Sequence, residues 1–410
     1  MTPPPRWALT YAVLGGAGAM GRITVKDLVE TSGPGVRIVV ADYDYSKARE
    51  TARSHRDPRV SALRVDVKDK ASALRVLRGA FVLINTVQYQ FNLEVMELAL
   101  ALRAHYIDLG GLFHMTRRQL RLDRRFKDIG RTALLGMGAA PGITNLLARY
   151  GADRLESVRE IHARVASSDR TRYAHKPALA VAYSLKTILE EFSAPPAVFT
   201  RGRYAFVEPM SGDAPHRFTA PIGWARPMHT LHSEVATLPE SFGDKGVREV
   251  SFKIAFEPGF LDRVRFLRDL GLASRHPVAV PAPGGQGTVA VAPVDVANRV
   301  AMAQAPARRR GPLRQCEVVR AVVKGMRDGR KATWVVDCRT AGMPAWGIGT
   351  DIDTGSPPAV AAQMLAAGKI TARGALPPES AVPVECFFNR LKERKMTVKA
   401  ASIPGWDLAV

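Results

Sequence analysis

The chain has 410 residues, too many for one ordinary domain and enough for two substantial cores, and its 46% hydrophobic content predicts that most of it folds. Its three cysteines, Cys316, Cys338 and Cys386, stand far apart without any C-x-x-C, which excludes a disulfide framework and a metal-ligand set and favours reduced thiols. The net charge of +21 comes from dispersed basic clusters without interleaved aromatics or a recognisable nucleic-acid module, so solvated basic faces are expected rather than specific nucleic-acid binding.

The first predicted elements are the most informative. Trp7 to Leu14 is an apolar run of strand length, and Arg22 to Thr31 reads as a helix stopped by Gly33. Between them lies Leu14-Gly15-Gly16-Ala17-Gly18-Ala19-Met20-Gly21, whose glycines 16, 18 and 21 fill G-x-G-x-x-G. A second buried strand, Val36 to Ala41, ends at Asp42, 21 residues beyond Gly21. Strand, tight turn, helix, strand and acid make the full dinucleotide fingerprint. Gly16 permits the turn, Gly18 admits a pyrophosphate, and Gly21 lets helix and strand pack closely. The helix N-terminus at Ala19 and Met20 offers unpaired N–H groups and a positive dipole end. Asp42, backed by Asp44, would hold the adenosine ribose and repel a 2′-phosphate. NAD is therefore expected, with NADP possible.

The same rhythm continues. Ser46 can cap a helix through Ser54, Val60 to Asp66 is a third strand, and Asp66 at its end joins the cofactor candidates. Ala71 to Arg78 is a short helix, and Phe81 to Val87 is a nearly all-apolar fourth strand, as in a parallel sheet covered on both faces. Asn92 caps a further helix, Tyr106 to Leu109 is a fifth strand, and a sixth runs from Thr132 to Met137 after a basic helix. Alternating strands and helices predict an α/β, doubly wound parallel sheet. No apolar stretch reaches membrane-spanning length, so a soluble, cytoplasmic protein is expected.

The pattern changes near Asn145. A helix reaches about Tyr150, Val158 to Ala166 alternates as a half-exposed strand, and Pro177 to Phe192 reads as a helix opened by proline. Residues 199–257 are short β segments and turns, and 284–287 is a Gly-rich loop. Arg327-Asp328-Gly329-Arg330 between two apolar runs is a hairpin signal. The tail from Thr354 to Lys399 reads as helical, including Pro357 to Ala367, and is expected to pack back on the first domain.

Gly16 to Gly21, Asn85 to Asn92, Tyr106 to Gly111 and Ala140-Pro141-Gly142-Ile143-Thr144-Asn145 together resemble the saccharopine dehydrogenase-like family. Tyr183-Ser184-Leu185, His232 to Pro239, Thr354 to Pro357 and Gly374 to Glu379 extend the resemblance over most of the chain, in the family's order. It is most similar to the lysine 6-dehydrogenase and saccharopine-reductase branch. The resemblance implies a split Rossmann domain (1–144 and 345–400) with an inserted α+β substrate and dimerisation domain (145–344). It also implies an NAD(P)-linked reaction at the C–N bond of an amino acid, and a homodimer. The stretch from Pro277 to Pro312 matches nothing in the family pattern.

Chemistry is expected beyond the carboxyl ends of the strands. Asn85 and Thr86 would touch the nicotinamide or its ribose, and Gly110 joins the cofactor candidates. Tyr89 or Asp108 could move a proton; Tyr89 could equally pack under a helix start, and Asp108 could be satisfied by amides at Gly110 and Gly111. In the inserted domain, His229 is the candidate general base, with Arg226, His232 and Glu234 around the substrate. Arg226 could clamp a carboxylate bidentately, or be one surface arginine among many. His229 and His232 lack the further ligands of a metal site. Two rivals to oxidative deamination remain: reductive condensation of an amine with an aldehyde, as in saccharopine or carboxynorspermidine formation, and a cofactor-binding regulator without turnover.

Overall fold

The structure is a computed structural model that describes residues 8–179 and 184–406. Seven parallel strands build the first sheet. Six are β1 (Leu9–Leu14), β2 (Val36–Asp42), β3 (Val60–Arg64), β4 (Val82–Asn85), β5 (His105–Asp108) and β6 (Thr132–Leu134). Their order is β6-β5-β4-β1-β2-β3, and Gly374–Leu376 from the tail adds the seventh strand beside β6. The reversal of strand order beside β1 is the switch point where such sheets bind ligands. Helix α1 (Ala19–Thr31) follows β1, and α2 (Asn92–Leu102) covers β4 and β5. Val13, Ile38, Val40, Val82 and Ile84 are fully buried on one face, and Leu83 and Tyr106 on the other, as the near-continuous apolar strands require.

The second sheet is mixed. Its central strands are β7 (Ser157–Asp169) and Gln315–Arg327, which pair antiparallel, while Glu249–Ala255 runs parallel on the other side of β7. Arg330–Thr340 and then Thr397–Pro404 complete one edge. Asp328 and Gly329, both at positive φ, form the two-residue turn of the 315–340 hairpin. The tail therefore serves both units: Pro357–Ala366 packs on α1, β4 and β5, Gly374–Leu376 extends the first sheet, and Thr397–Pro404 extends the second.

Several expectations are corrected. Asn92 lies within the first turn of α2 rather than capping it; its side chain turns inward instead, to Asn85, Asp108, Gly110 and Gln119. The Ser46 cap belongs to Asp44, whose carboxylate accepts the Lys47 amide at 3.1 Å. The helix expected from Pro177 is described only over Leu185–Glu191; residues 180–183, with the Tyr183 of the family match, lie outside the described residues, as does Trp7. Two tail segments that were expected to be helical are strands. The Pro277–Pro312 stretch holds a two-stranded hairpin, Val278–Pro281 with Thr288–Val291, and a helix, Pro293–Met302. Among the described residues no helix is long and apolar enough to cross a membrane.

Candidate functional site

The turn after β1 is shaped by close approach. A Cβ on Gly21 would stand 2.2 Å from the Gly15 carbonyl oxygen and 2.8 Å from Thr86 Oγ1, and one on Gly16 would stand 2.8 Å from the Val13 oxygen. No other residue fits these two positions without moving backbone. Gly18 ends the turn as the N-cap of α1, with no side chain to satisfy the first amides and no acid in the first turn. That bare, dipole-positive helix start is what a dinucleotide's pyrophosphate needs, so the residues present fit the cofactor. Asp42 closes the turn from the neighbouring strand: Oδ2 accepts the Ala17 amide at 3.1 Å and Oδ1 the Asp44 amide at 3.0 Å. Asp66 stands one strand further on and accepts the Lys68 amide at 2.9 Å.

A cavity of about 610 Å³ opens between this edge and the inner face of the second sheet. Met20, Thr86, Tyr89 and Gly110 line it from the first domain. Asn85 and Asp108 stand behind that wall. Asn85 donates to Asn92 and Tyr106, and Asp108 accepts from the amides of Gly110 (2.9 Å) and Gly136 (2.7 Å), from Tyr106, and from Gln119 at 2.6 Å. Burial pushes the Asp108 carboxyl up despite these donors. The pair locks the ends of β4 and β5 in place. Tyr89 accepts from Arg275 at 3.3 Å, and burial followed by the nearby Glu190 raises its phenol far beyond neutral pH.

The inserted domain divides its candidates by sheet register. His229 pairs with Lys253, which pairs with Arg164, whereas the next residues along, Ile254 and Val165, face the cavity. One position of register sends a side chain to the opposite face. His229 is therefore not on the cavity wall, and burial, then Lys253, hold its pKa down to about 4. Arg226 is exposed and ion-paired to Asp213 at 3.2 Å, also off the cavity wall. After His229 the chain turns, and His232 reaches the cavity, its ring stacked on Phe252 at 3.8 Å between centroids. His232 Nδ1 is hydrogen-bonded to Glu234, itself fully buried and accepting from Thr144 Oγ1 at 2.6 Å. Burial alone would lower the His232 pKa; the Glu234 carboxylate outweighs it and the result is raised.

Three carboxyls that the sequence did not single out also line the cavity. Glu317 projects from the Gln315–Arg327 strand, and Asp351 and Asp353 come from the turn before Pro357–Ala366. Burial pushes Glu317 up to about 7 and Asp351 to about 6. Asp353 is raised well above the carboxylate range by burial and then by Glu317. Its Oδ2 is buried and has no hydrogen-bond partner among the described residues. The signal was present in Thr350-Asp351-Ile352-Asp353, and in Glu317 interrupting an apolar strand, but nothing local joins them.

Two family models cover the chain: the saccharopine dehydrogenase NADP binding domain matches residues 12–134, and the saccharopine dehydrogenase C-terminal domain matches residues 138–396. The apo saccharopine dehydrogenase (L-Glu forming) of Saccharomyces cerevisiae superposes with a TM-score of 0.71 at 15% identity, over 97% of this chain and 100% of that one. GenD2 from gentamicin A biosynthesis, in complex with NAD, matches more loosely, with a TM-score of 0.33 and 11% identity over 81% of this chain and 74% of that one. A myo-inositol dehydrogenase from Corynebacterium glutamicum is similarly distant, at 0.33 and 11% over 69% and 75%. The family models span both sheets and the cavity between them, and the glycine turn fits the nucleotide: the chain belongs to the saccharopine dehydrogenase family and is an NAD(P)-binding oxidoreductase.

Proposed function

We propose that this enzyme oxidises the side-chain amine of a diamino acid to an imine that water then hydrolyses, as a lysine 6-dehydrogenase does, with NAD preferred over NADP. The observation that carries the reading is a single cavity bordered by Thr86 and Gly110, by the His232–Glu234 pair, and by the carboxyls of Glu317, Asp351 and Asp353. With its pyrophosphate held at the glycine turn, the dinucleotide would supply the hydride acceptor through its nicotinamide. The chain supplies position and proton transfer. Asp353, with Glu317 and Asp351, would hold the ammonium that does not react, since a buried carboxylate oxygen without a donor, such as Asp353 Oδ2, gains most from a cation. Lys176 and Arg263, also on the wall, offer counter-charge for the substrate carboxylate. His232 would take the proton from the reacting ammonium and free its lone pair, with Glu234 fixing the ring and stabilising the imidazolium.

The test is a screen of lysine, ornithine and diamines, followed by reduced-nicotinamide absorbance and by ammonia release. Cofactor reduction with one carbon substrate and stoichiometric ammonia supports the reading. A requirement for an amine and an aldehyde together would replace it with reductive condensation. Cofactor binding without turnover on any of them would favour a regulator.

A further inference from the structure

On the face of the second sheet turned away from the cavity, four basic side chains stand in one row across neighbouring strands: His229, Lys253, Arg164 and Arg320. Register partners of this kind lie about 5 Å apart at Cβ. Like charges at that spacing repel unless something answers them. Arg320 is answered: Nε and Nη2 grip Asp337 at 2.6 and 2.7 Å, and Nη1 donates to the Arg217 carbonyl at 2.8 Å. Lys253 reaches only a neutral carbonyl, that of Gly212. Arg164 feels the Glu160 carboxylate only at a distance and has no ion pair or hydrogen bond of its own among the described residues. Its Nη1 is buried and makes no hydrogen bond among the described residues.

The acids within reach are already engaged. Glu160 is held by Lys324 at 2.9 Å and by His162 at 3.1 Å, Asp337 by Arg320, and Asp213 by Arg226. The surroundings therefore offer Arg164 more positive charge and no free carboxylate. Burial, and next the Arg320 charge, bring its pKa down to about 10, and His216 on the covering hairpin falls to about 3. A guanidinium keeps its charge even so, and a buried charge without a partner is strongly unfavourable.

We infer that the unpartnered Arg164, flanked by Lys253 and His229 on the outer face of the second sheet, forms a binding site for a small oxyanion, either inorganic phosphate or a carboxylate. The planar fork of Arg164 suits a bidentate grip on two oxygens, Lys253 adds a point charge, and a neutral His229 can donate one further hydrogen bond. Arg164, Lys253 and His229 are each half-buried, with part of the side chain open to solvent. Nothing in this inference depends on the proposed reaction, because the cavity lies on the other face of the sheet.

The experiment is calorimetric titration of the full-length protein with inorganic phosphate and, separately, acetate, at constant ionic strength held with chloride. The wild type should bind at least one of the two saturably at about one ion per chain, and the stronger binder identifies the ion class. Arg164→Gln should weaken that binding at least about tenfold while leaving NAD affinity unchanged. If Arg164→Gln does not fold, Arg164→Lys should show the same loss, because an ammonium cannot reproduce the fork. Saturable binding to neither ion, or equal binding in wild type and variant, would overturn the inference. So would an Arg164 variant that changes only the monomer–dimer equilibrium, since the missing counter-charge would then be a carboxylate of a second subunit.

Discussion

Arg394 and Asp27, separated by 367 positions in sequence, form a buried bidentate ion pair, with Nε at 2.8 Å from Oδ2 and Nη2 at 2.7 Å from Oδ1. Both side chains are essentially inaccessible, at 1% and 0%. The pair pins the helix before the last strand to α1, whose N-terminus closes the glycine turn. Thr31 and Gln363 add hydrogen bonds to the same guanidinium. Removing one partner strands a buried charge, so Arg394→Met should destabilise the protein by about 3–5 kcal/mol. Asp27→Leu with Arg394→Met should recover much of that loss. Denaturant unfolding of the three variants checks it, and a single variant as stable as wild type would contradict the role given to the pair.

Cofactor choice should follow Asp42. A 2′-phosphate brought to about 4 Å from this carboxylate, at an effective dielectric near 20, meets a repulsion on the order of 4 kcal/mol per charge pair before screening. Calorimetry should show NAD binding more tightly than NADP, and Asp42→Ala should narrow the gap. The variant should also weaken both cofactors, because the Ala17 amide loses its acceptor. Equal wild-type affinities would contradict the prediction.

The buried acid wall gives a stability signature. Glu317 ordinarily ionises near 4.5 and in the folded chain near 7, so between those values the native state holds more protons than the unfolded one. Its contribution to stability is therefore present at low pH and is lost as pH rises from about 4.5 through about 7. Glu317→Gln removes that loss. The melting temperature of the variant relative to wild type should increase between about pH 5 and about pH 8; a difference that stays constant with pH would contradict the burial argument.

How much of this was legible in the sequence depends on distance along the chain. The glycine turn and Asp42 are local, within one strand-helix-strand unit, and each residue has one steric or electrostatic reason to be there. The hairpin at Asp328 and Gly329 is equally local. Pairing is not. Sequence could not show that His229 shares a row with Lys253 and Arg164 while His232, three residues on, turns back to the cavity. Nor could it bring Glu317 together with Asp353. Asn92 had the composition of a cap but was drawn inward by the buried Asn85–Asp108 network, a tertiary demand that overrode the local preference.

A homodimer is the further expectation, and we propose that it forms around the 258–302 region. Phe266 on one helix and Leu270 just past its end, Val278 and Val289 on the two-stranded hairpin, and Val300 and Met302 on the next helix are all exposed. An isolated two-stranded hairpin is marginal in water, and apolar side chains in that number normally meet a partner. Light scattering at micromolar concentration should give twice the chain mass, and Leu270→Glu with Val300→Glu should shift it toward monomer. A monomeric wild type would contradict this.

Amine oxidation in the cavity, with His232 as the proton acceptor, is tested most directly by steady-state turnover of the preferred diamino acid by wild type and His232→Gln, across pH, with cofactor affinity measured alongside. The raised His232 pKa puts the acidic limb of the wild-type kcat/KM profile above 6.5, since the base form is gained as pH rises. His232→Gln should lower kcat by about 10²- to 10⁴-fold and remove that limb from kcat/KM, with cofactor affinity and melting temperature nearly unchanged. Full turnover in the variant, or loss of cofactor binding instead of turnover, would contradict the account.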